Sequence, residues 1–300
     1  MVQPCYKISA PGSLMLMGEH AVLHGKTAIV CAINKRITVT LTPHTADHIT
    51  IKSTIGEYRA TKNTLNITKP FEFVLQAIRH YQLPSGFDLL IESEFSPTLG
   101  LGSSAAVTVA TIAAFNKWLQ QPEDLLAQAI KVIHQIQKRG SGADVAASIF
   151  GGTLLYRIDH PVEICPHNPP LIALYSGYKT PTAVVIAEVE SLRLKYPTLI
   201  NAVFDLMDHC SQKAAATIRD AHWQQLGEIV NIAQGLMDAI GVNSAKLAEL
   251  IAQLRTEKTI YGAKISGSGL GDCVIGIGHL TALTPLDITI SKDGLRYESA

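Results

Sequence analysis

The stretch from Gly100 to Ala106, Gly-Leu-Gly-Ser-Ser-Ala-Ala, and the apolar segment behind it most strongly constrain the fold of this chain. Two glycines allow backbone conformations in which neighbouring amides converge on a ligand. Ser103 or Ser104 is expected to cap a helix that is apolar on nearly every face: Val107, Val109, Ala110, Ile112, Ala113, Phe115 and Leu119. Such a helix is buried, and its N-terminal amides form an anion site, typically for phosphate. The alternative is an ordinary glycine–serine loop that leads into a core helix.

A carboxylate and an imidazole, Glu19 and His20, interrupt an otherwise apolar segment between Leu14 and Leu23. Burying either group costs free energy unless it finds a polar partner. The two side chains therefore either belong to an enclosed polar site or lie in a turn that faces water.

Asp144 stands between a glycine-rich turn at 139–142 and a run of small apolar residues. An isolated carboxylate in this setting has two common roles. It is either a helix cap, the commoner fate of aspartate, or a catalytic group held by a charged partner.

The composition excludes several classes of function. Lysine plus arginine and aspartate plus glutamate both number 25, so no nucleic-acid partner is expected. No apolar run approaches membrane-spanning length, and the N-terminus lacks a signal-peptide pattern. Five scattered cysteines form no CxxC pair, which fits a reducing, cytoplasmic location. The eleven histidines are equally dispersed, and no structural metal is expected.

Hydrophobic periodicity predicts alternating strands and helices. Strands are expected at 28–33, 37–41, 49–51, 58–60, 87–92, 153–157, 171–175, 262–265 and 272–277. Helices are expected at 71–78 and 104–119, after Pro122, after Thr180 and Pro181, at 200–207 and 223–237, and after a Ser244 cap. The proline-rich stretch 161–170 predicts a boundary between two domains, 1–165 and 166–300.

Three separated stretches, Pro11–Gly25, Pro97–Ala106 and Lys264–Cys273, contain the glycine loops. None satisfies the P-loop pattern or the G-x-G-x-x-G spacing of dinucleotide-binding proteins. Together and in this order they resemble the three motifs of the GHMP kinase family, which includes galactokinase, homoserine kinase, mevalonate kinase and phosphomevalonate kinase. The resemblance spans almost the whole chain.

The resemblance implies an α+β fold: a ribosomal S5 domain 2-like N-terminal domain and a ferredoxin-like C-terminal domain, with the site between them. It also implies ATP and Mg²⁺ as cofactors and a homodimer as one possible assembly. The residues that it assigns are Asp144 as general base, Ser104 as magnesium ligand, Gly100, Leu101, Gly102, Ser103, Ser104 and Ala105 around the nucleotide, and Glu19, His20, Ser141, Gly267, Ser268 and Gly269 around the substrate.

Two positions depart from the family pattern. Ser13 stands where mevalonate kinases carry a lysine paired with the aspartate, and Ile133 stands where they carry a magnesium-binding glutamate. Lys7, Arg139 and Lys179 are the candidates for a replacement cation. The first motif resembles the mevalonate kinase branch, whereas Gly271-Asp272-Cys273 resembles the phosphomevalonate kinase branch. Three alternatives follow: phosphorylation of mevalonate, phosphorylation of its phosphate, or a homologue that binds ligand without efficient turnover.

Overall fold

The computed structural model describes residues 4–121, 124–280 and 284–299. In chain order these residues form β1 (Tyr6–Met17), β2 (Ala28–His44), β3 (His48–Ser53), β4 (Gly56–Thr61), α1 (Glu72–Ile78), β5 (Gly86–Ser93), α2 (Ser103–Leu119), α3 (Leu125–Gln137), α4 (Ala143–Phe150), β6 (Thr153–Tyr156), β7 (Glu163–Ile164), β8 (Leu171–Tyr175), α5 (Thr182–Lys195), α6 (Pro197–Arg219), α7 (Trp223–Ala239), α8 (Ala245–Thr256), β9 (Ile260–Ser266), β10 (Cys273–Gly278) and β11 (Arg296–Glu298). Among them, none of the helices combines the length and apolarity of a membrane span.

The larger sheet has the strand order β11-β1-β2-β5-β3-β4, with β6 on β2 and β7 on β6. The two strands predicted at 28–33 and 37–41 are one strand, β2, so that prediction was wrong. The polar residues 34–36 that suggested a break coincide with a register shift between β1 and β2 at Pro11 and Ser13. Arg36 remains buried there because its guanidinium donates to the carbonyls of Ser9 and Gly294.

Helix α2 lies in the centre of the main core, packed against β1, β2, α1, α3 and α4. Its alanines and valines allow close packing on the sheet, and Phe115 meets Phe87 of β5 edge to face with the ring centroids 5.0 Å apart. The expected burial of this helix is therefore confirmed. A helix packed on all sides holds its N-terminus in a fixed position.

The smaller sheet is antiparallel, in the order β8-β10-β9. Helices α7 and α8 pack on it, and α6 packs on α7. At Gly227 of α7, an added Cβ would lie 2.4 Å from the backbone of Tyr261, so glycine allows this helix to approach β9 closely. The chain changes sheet between β7 and β8, and it returns to the larger sheet at β11. Residues 296–298 of the predicted second domain thus complete the sheet of the first, while the boundary itself stays a prediction.

Several helix starts differ from the predictions. Gly102, in the left-handed conformation, is the N-cap of α2, so Ser103 and Ser104 are its first residues and do not cap it. Pro181 is the N-cap of α5, because the Thr180 hydroxyl donates instead to the Leu270 carbonyl. Asp124 caps α3, whereas the predicted start at Pro122 lies outside the described residues. Ser244 caps α8 as predicted, accepting from the Leu247 amide.

Candidate active site

The three glycine-containing stretches meet at one open cleft of about 710 Å³. Elements of both sheets form its walls. Of the predicted site residues, the cleft is lined by Glu19, His20, Gly100, Gly102, Ser103, Ser104, Ala105, Ser141, Asp144, Gly267 and Ser268. Leu101 and Gly269 shape the loops from behind: the Leu101 side chain lies in the core, and Gly269 packs so closely on Val242 that a Cβ would lie 2.5 Å from its carbonyl oxygen.

The loop before α2 presents backbone amides to the cleft. Gly100 and Gly102 have φ angles of 70° and 68°, a region that disfavours side chains, and the helix starts directly afterwards. Free N–H groups and the helix dipole together favour an anion at this end. No acidic residue occupies the first turn of α2. The loop therefore has the features of a phosphate site.

Asp144 lies in the first turn of α4 and faces the same cleft. Its side chain makes no capping hydrogen bond; Gly142 is the N-cap, and the Ser141 hydroxyl accepts from the Ala143 amide. The capping alternative is thus excluded by the geometry. Asp144 Oδ1 instead accepts a 2.7 Å hydrogen bond from the hydroxyl of Ser13. Helix α4 is held on β1 by the Ser148 hydroxyl, which donates to the Pro11 carbonyl.

Burial raises the pKa of Asp144 above the usual range for aspartate, opposed by the Ser13 hydrogen bond and the charge of Lys179. Lys179 lines the cleft, with Nζ 3.5 Å from the Pro97 carbonyl. Of the three candidate cations, it alone is a cleft-lining residue. Arg139 acts electrostatically on His24 and Glu190, and Lys7 lies on β1 opposite Thr40 and Glu298.

Asp272 is a further carboxylate in this cleft, predicted as part of the third motif and as the first residue of a strand. The strand starts one residue later, and Asp272 closes the third loop with a φ of 62°. Its side chain packs against Gly100, where an added Cβ would lie 2.6 Å away. It is 6% exposed, and Oδ1 has no hydrogen-bond partner among the described residues. Burial raises the pKa of Asp272, and Asp144 raises it further while Lys179 lowers it.

Glu19 and His20 are both buried, and each has a partner from the smaller sheet. Glu19 forms an ion pair with Lys264 of β9, whose side chain is completely buried and which also donates to the Ile265 carbonyl. His20 Nε2 lies 2.8 Å from the Ser268 carbonyl oxygen, and burial lowers the pKa of the imidazole. The segment is therefore an enclosed polar site and not a water-facing turn. Lys264 was missed, although it is the one charged residue in an apolar strand.

The site of the absent family glutamate lies on the cleft wall, where Ile133 of α3 supplies an apolar surface. Two other carboxylates in the cleft, Glu72 and Asp272, each have an oxygen without a hydrogen-bond partner among the described residues. Carboxylate and hydroxyl oxygens are the donors that Mg²⁺ prefers. Asp272 lies beside Gly100, and Asp272 and Ser104 both line the cleft. Their oxygens are thus of the kind that would hold a magnesium ion next to bound phosphates.

Phosphoryl transfer to an alcohol needs a place for charged phosphates and a group that orients the hydroxyl, and this cleft supplies both. The fold and the site together define an ATP-dependent small-molecule kinase.

Comparison with known proteins gives the family. The model described as GHMP kinases N terminal domain matches residues 68–152, and that described as GHMP kinases C terminal matches residues 214–283. A protein named mevalonate kinase from Archaeoglobus fulgidus is 35% identical over 276 residues, which cover 90% of this chain and 91% of the relative. The chain belongs to the GHMP kinase family, and the predicted α+β fold class is confirmed.

Two solved structures share the fold. The Lin0012 protein from Listeria innocua superposes with a TM-score of 0.86 at 18% identity, covering 99% of this chain and 100% of that one. The L. major mevalonate kinase in complex with R-mevalonate superposes with a TM-score of 0.77 at 22% identity, covering 92% and 87%. At these identities the similarity describes the fold.

Proposed function

We propose that this enzyme transfers the γ-phosphoryl group of ATP to the hydroxyl of mevalonate. The observation that carries the proposal is the Asp144 carboxylate, held by Ser13 in the same cleft as the open N-terminus of α2. The relative from Archaeoglobus fulgidus, which matches nearly the full chain, is named a mevalonate kinase. Formation of isoprenoid precursors is the process that such an activity would serve.

The N-terminus of α2 binds the phosphates through the free amides of Gly102, Ser103 and Ser104. Ser104 and Asp272 would hold Mg²⁺, which neutralises phosphate charge and thereby stabilises the transferring group. Without such a cation, the Asp272 carboxylate would repel the phosphates. Lys179 supplies a further positive charge, which acts on both Asp144 and Asp272.

Asp144 orients the substrate hydroxyl and accepts its proton as the new bond to phosphorus forms. A general base works best when its pKa approaches the working pH, and burial moves the pKa of Asp144 in that direction. In this site a neutral hydroxyl, Ser13, fixes the carboxylate, while the cation is Lys179 from the segment that follows β8. Glu19, His20, Ser141, Gly267, Ser268 and Gly269 remain our candidates for shaping the substrate end of the cleft.

Phosphorylation of phosphomevalonate is the second candidate, favoured by the resemblance at Gly271-Asp272-Cys273. The two substrates differ by a phosphate, which needs extra cationic groups. The decisive experiment measures ADP release with ATP and Mg²⁺ across mevalonate, 5-phosphomevalonate, homoserine and galactose. We expect turnover with mevalonate. Turnover confined to 5-phosphomevalonate would establish the second candidate, and no turnover with any alcohol would establish a ligand-binding homologue.

We also propose a cytoplasmic location and a homodimer. All five cysteines are free thiols, which supports a reducing compartment. Sedimentation of the purified protein tests the homodimer, and a single species of 32.3 kDa would contradict it.

A further inference from the structure

Two histidines and an aspartate cluster on the solvent face of the larger sheet, at the start of β5. His44 ends β2, His48 begins β3, and these strands flank β5 on its two sides. The register places His44 opposite Gly86, and the pairing of β3 with β5 puts His48 at the same level. Asp88 follows two residues after Gly86 and is exposed, whereas Phe87 and Leu89 point to the core. All three ligand-bearing side chains thus occupy one face.

Gly86 makes room for this arrangement. The segment 45–47 crosses the start of β5, and the Gly86 amide donates to the Ala46 carbonyl at 2.7 Å. An added Cβ on Gly86 would lie 2.0 Å from the His48 carbonyl oxygen and 2.8 Å from Cε1 of His44. Glycine therefore lets the two imidazoles meet across the strand, with ring centroids 4.3 Å apart.

The imidazole of His44 is the unpartnered group of the cluster among the described residues. Both ring nitrogens of His44 are buried, and neither has a hydrogen-bond partner among the described residues. Leaving such groups unpaired costs free energy. The neighbouring carboxylate of Asp47 pairs with Lys62 at 2.9 Å and is thus already engaged. The His44 nitrogens are the second, independent indication that a ligand belongs here.

We propose that His44, His48 and Asp88 form a binding site for a divalent transition metal, with zinc as the representative ion. Their ligand atoms all lie within 4.8 Å of one another. In a tetrahedral zinc site, two ligand atoms at about 2 Å from the ion lie about 3.3 Å from each other. Ligand atoms at the 4.8 Å limit must therefore approach by about 1.5 Å, and rotation of the exposed His48 and Asp88 side chains would provide this approach. Two imidazoles and a carboxylate suit zinc and leave one position for water.

The expectation that no structural metal binds rested on linear spacing. His44 and His48 are near in sequence, but Asp88 lies forty residues beyond His48 and joins them only through strand pairing. A bound ion would connect β2, β5 and β3, so it would stabilise this edge of the sheet and not take part in phosphoryl transfer.

The test is zinc binding by tag-free protein freed of metal with a chelator. Competition against a chromophoric chelator gives the affinity, and elemental analysis gives the stoichiometry. We expect one zinc ion whose affinity falls at least tenfold in His48→Ala and in Asp88→Asn. His160→Ala, an exposed histidine outside the cluster, serves as the matched control and should bind like the parent.

Thermal denaturation provides a second readout. Zinc should raise the melting temperature of the parent and of the His160→Ala variant but not that of His48→Ala. Equal zinc binding by the parent and His48→Ala would overturn the proposal, as would failure of the parent to bind zinc. In either case, the two imidazoles would only pack against each other.

Discussion

At the level of single residues, the site has the aspartate of the family motif, but the residues around that aspartate depart from the family pattern. Asp144 is held by a neutral hydroxyl, because Ser13 stands where related enzymes carry lysine. A hydrogen bond fixes the carboxylate without the charge that a lysine would add. The electrostatic part of that role falls to Lys179, whose charge lowers the pKa values of both Asp144 and Asp272.

Replacing Asp144 with asparagine separates catalysis from stability. Asparagine keeps the shape but cannot accept a proton, so we expect transfer to slow by about 10²–10⁴-fold with ATP binding retained. Because burial raises the pKa of Asp144 in the folded state, the ionised group opposes folding above that pKa. The melting temperature at neutral pH should therefore stay the same or rise. Single-turnover transfer and a thermal melt measure both effects; near-normal transfer would remove Asp144 from the mechanism.

Replacing Lys179 with methionine should change the pH dependence of transfer. Its charge lowers the pKa values of two carboxylates whose burial raises them. The acid limb of the parent is therefore expected above the usual aspartate pKa of about 3.9, and loss of Lys179 should move it to still higher pH. We expect about a tenfold slower transfer at neutral pH, or about 1.4 kcal/mol. Lys7→Met, which removes a lysine on β1 away from the cleft, is the control, and identical pH profiles for the two variants would contradict this role.

Asp272 is expected to act through the metal. Asp272→Asn replaces the proposed carboxylate ligand with an uncharged amide and should weaken binding of Mn²⁺, a paramagnetic substitute for Mg²⁺, to the ATP complex at least tenfold. Electron paramagnetic resonance measures free Mn²⁺ independently of turnover. Glu72→Gln, which changes the other cleft carboxylate with an unpaired oxygen, is the comparison. If Glu72→Gln weakens Mn²⁺ binding and Asp272→Asn does not, the ligand is Glu72.

At the level of elements, the active site depends on how closely the loop before α2 approaches β1. The Ser13 amide donates to the Leu101 carbonyl at 3.0 Å, and a Cβ on Gly102 would lie 2.0 Å from Ser13 Oγ. The same serine thus holds the loop before α2 and the Asp144 carboxylate that we propose as the general base. Displacing either one moves the other.

Gly102→Ala tests this connection. Its control is a substitution at Gly241, a glycine that also has a positive φ but has free space around the position of a Cβ. Gly241 has a φ of 79°, and a Cβ there meets nothing within 4 Å. Gly241→Ala should cost about 1–3 kcal/mol of the free energy of unfolding through backbone strain alone. Gly102→Ala should cost more and also weaken ATP binding, because it displaces Ser13. Urea unfolding and nucleotide titration measure the two effects. An equal loss of the free energy of unfolding in both variants would show that the loop before α2 can move to make room for the Cβ.

The sequence predicted those elements that are defined by residues close together in the chain, such as a helix cap or a periodic run of apolar residues. The apolar run after Gly102 predicted α2, and the Ser244 cap and spaced leucines predicted α8. The pattern failed where pairing is non-local. The polar residues within β2 are accommodated by a register shift against β1. Strand β11 has only three residues, and it forms because they pair with β1 at the other end of the chain.

The residues of the candidate site likewise fall into those that local sequence motifs identified and those that folding brings into the site. Family motifs identified the loops and Asp144, because glycines and isolated carboxylates stand out in sequence. Asp272 and Lys179 gain their roles only through folding, which brings one to Gly100 and the other to the carboxylates. The role of Lys264 could have been predicted, since a lone lysine in an apolar strand needs a partner of opposite charge when it is buried. Glu19, a carboxylate in an apolar segment, needs such a partner as well.

At the level of the whole molecule, a buried ion pair at the cleft connects the segment after β1 with the smaller sheet. Glu19 follows β1, whereas Lys264 belongs to β9, and both side chains are almost completely excluded from water. Removing one partner of such a pair leaves the other charge buried. The cost therefore falls on both halves of the molecule at once.

Lys264→Met should lower the free energy of unfolding by about 3–5 kcal/mol. Glu19→Gln added to it removes the unpaired charge and should restore part of the loss. Lys246→Met, which breaks an exposed pair with Glu249, should cost no more than about 1 kcal/mol. Urea unfolding of the three variants decides the matter, and a double variant no more stable than Lys264→Met would argue against a charge penalty.

Because the chain returns to the larger sheet near its C-terminal end, this sheet is completed only late in synthesis of the protein. Arg36 is buried against the carbonyl of Gly294, which lies 258 residues further along the chain. At about 5–20 residues per second, the ribosome adds that carbonyl some tens of seconds after the arginine. Until then the guanidinium has Ser9 but lacks the Gly294 carbonyl as an acceptor, and the edge of β1 lacks β11. The half of the molecule that is translated first is therefore among the last to be finished.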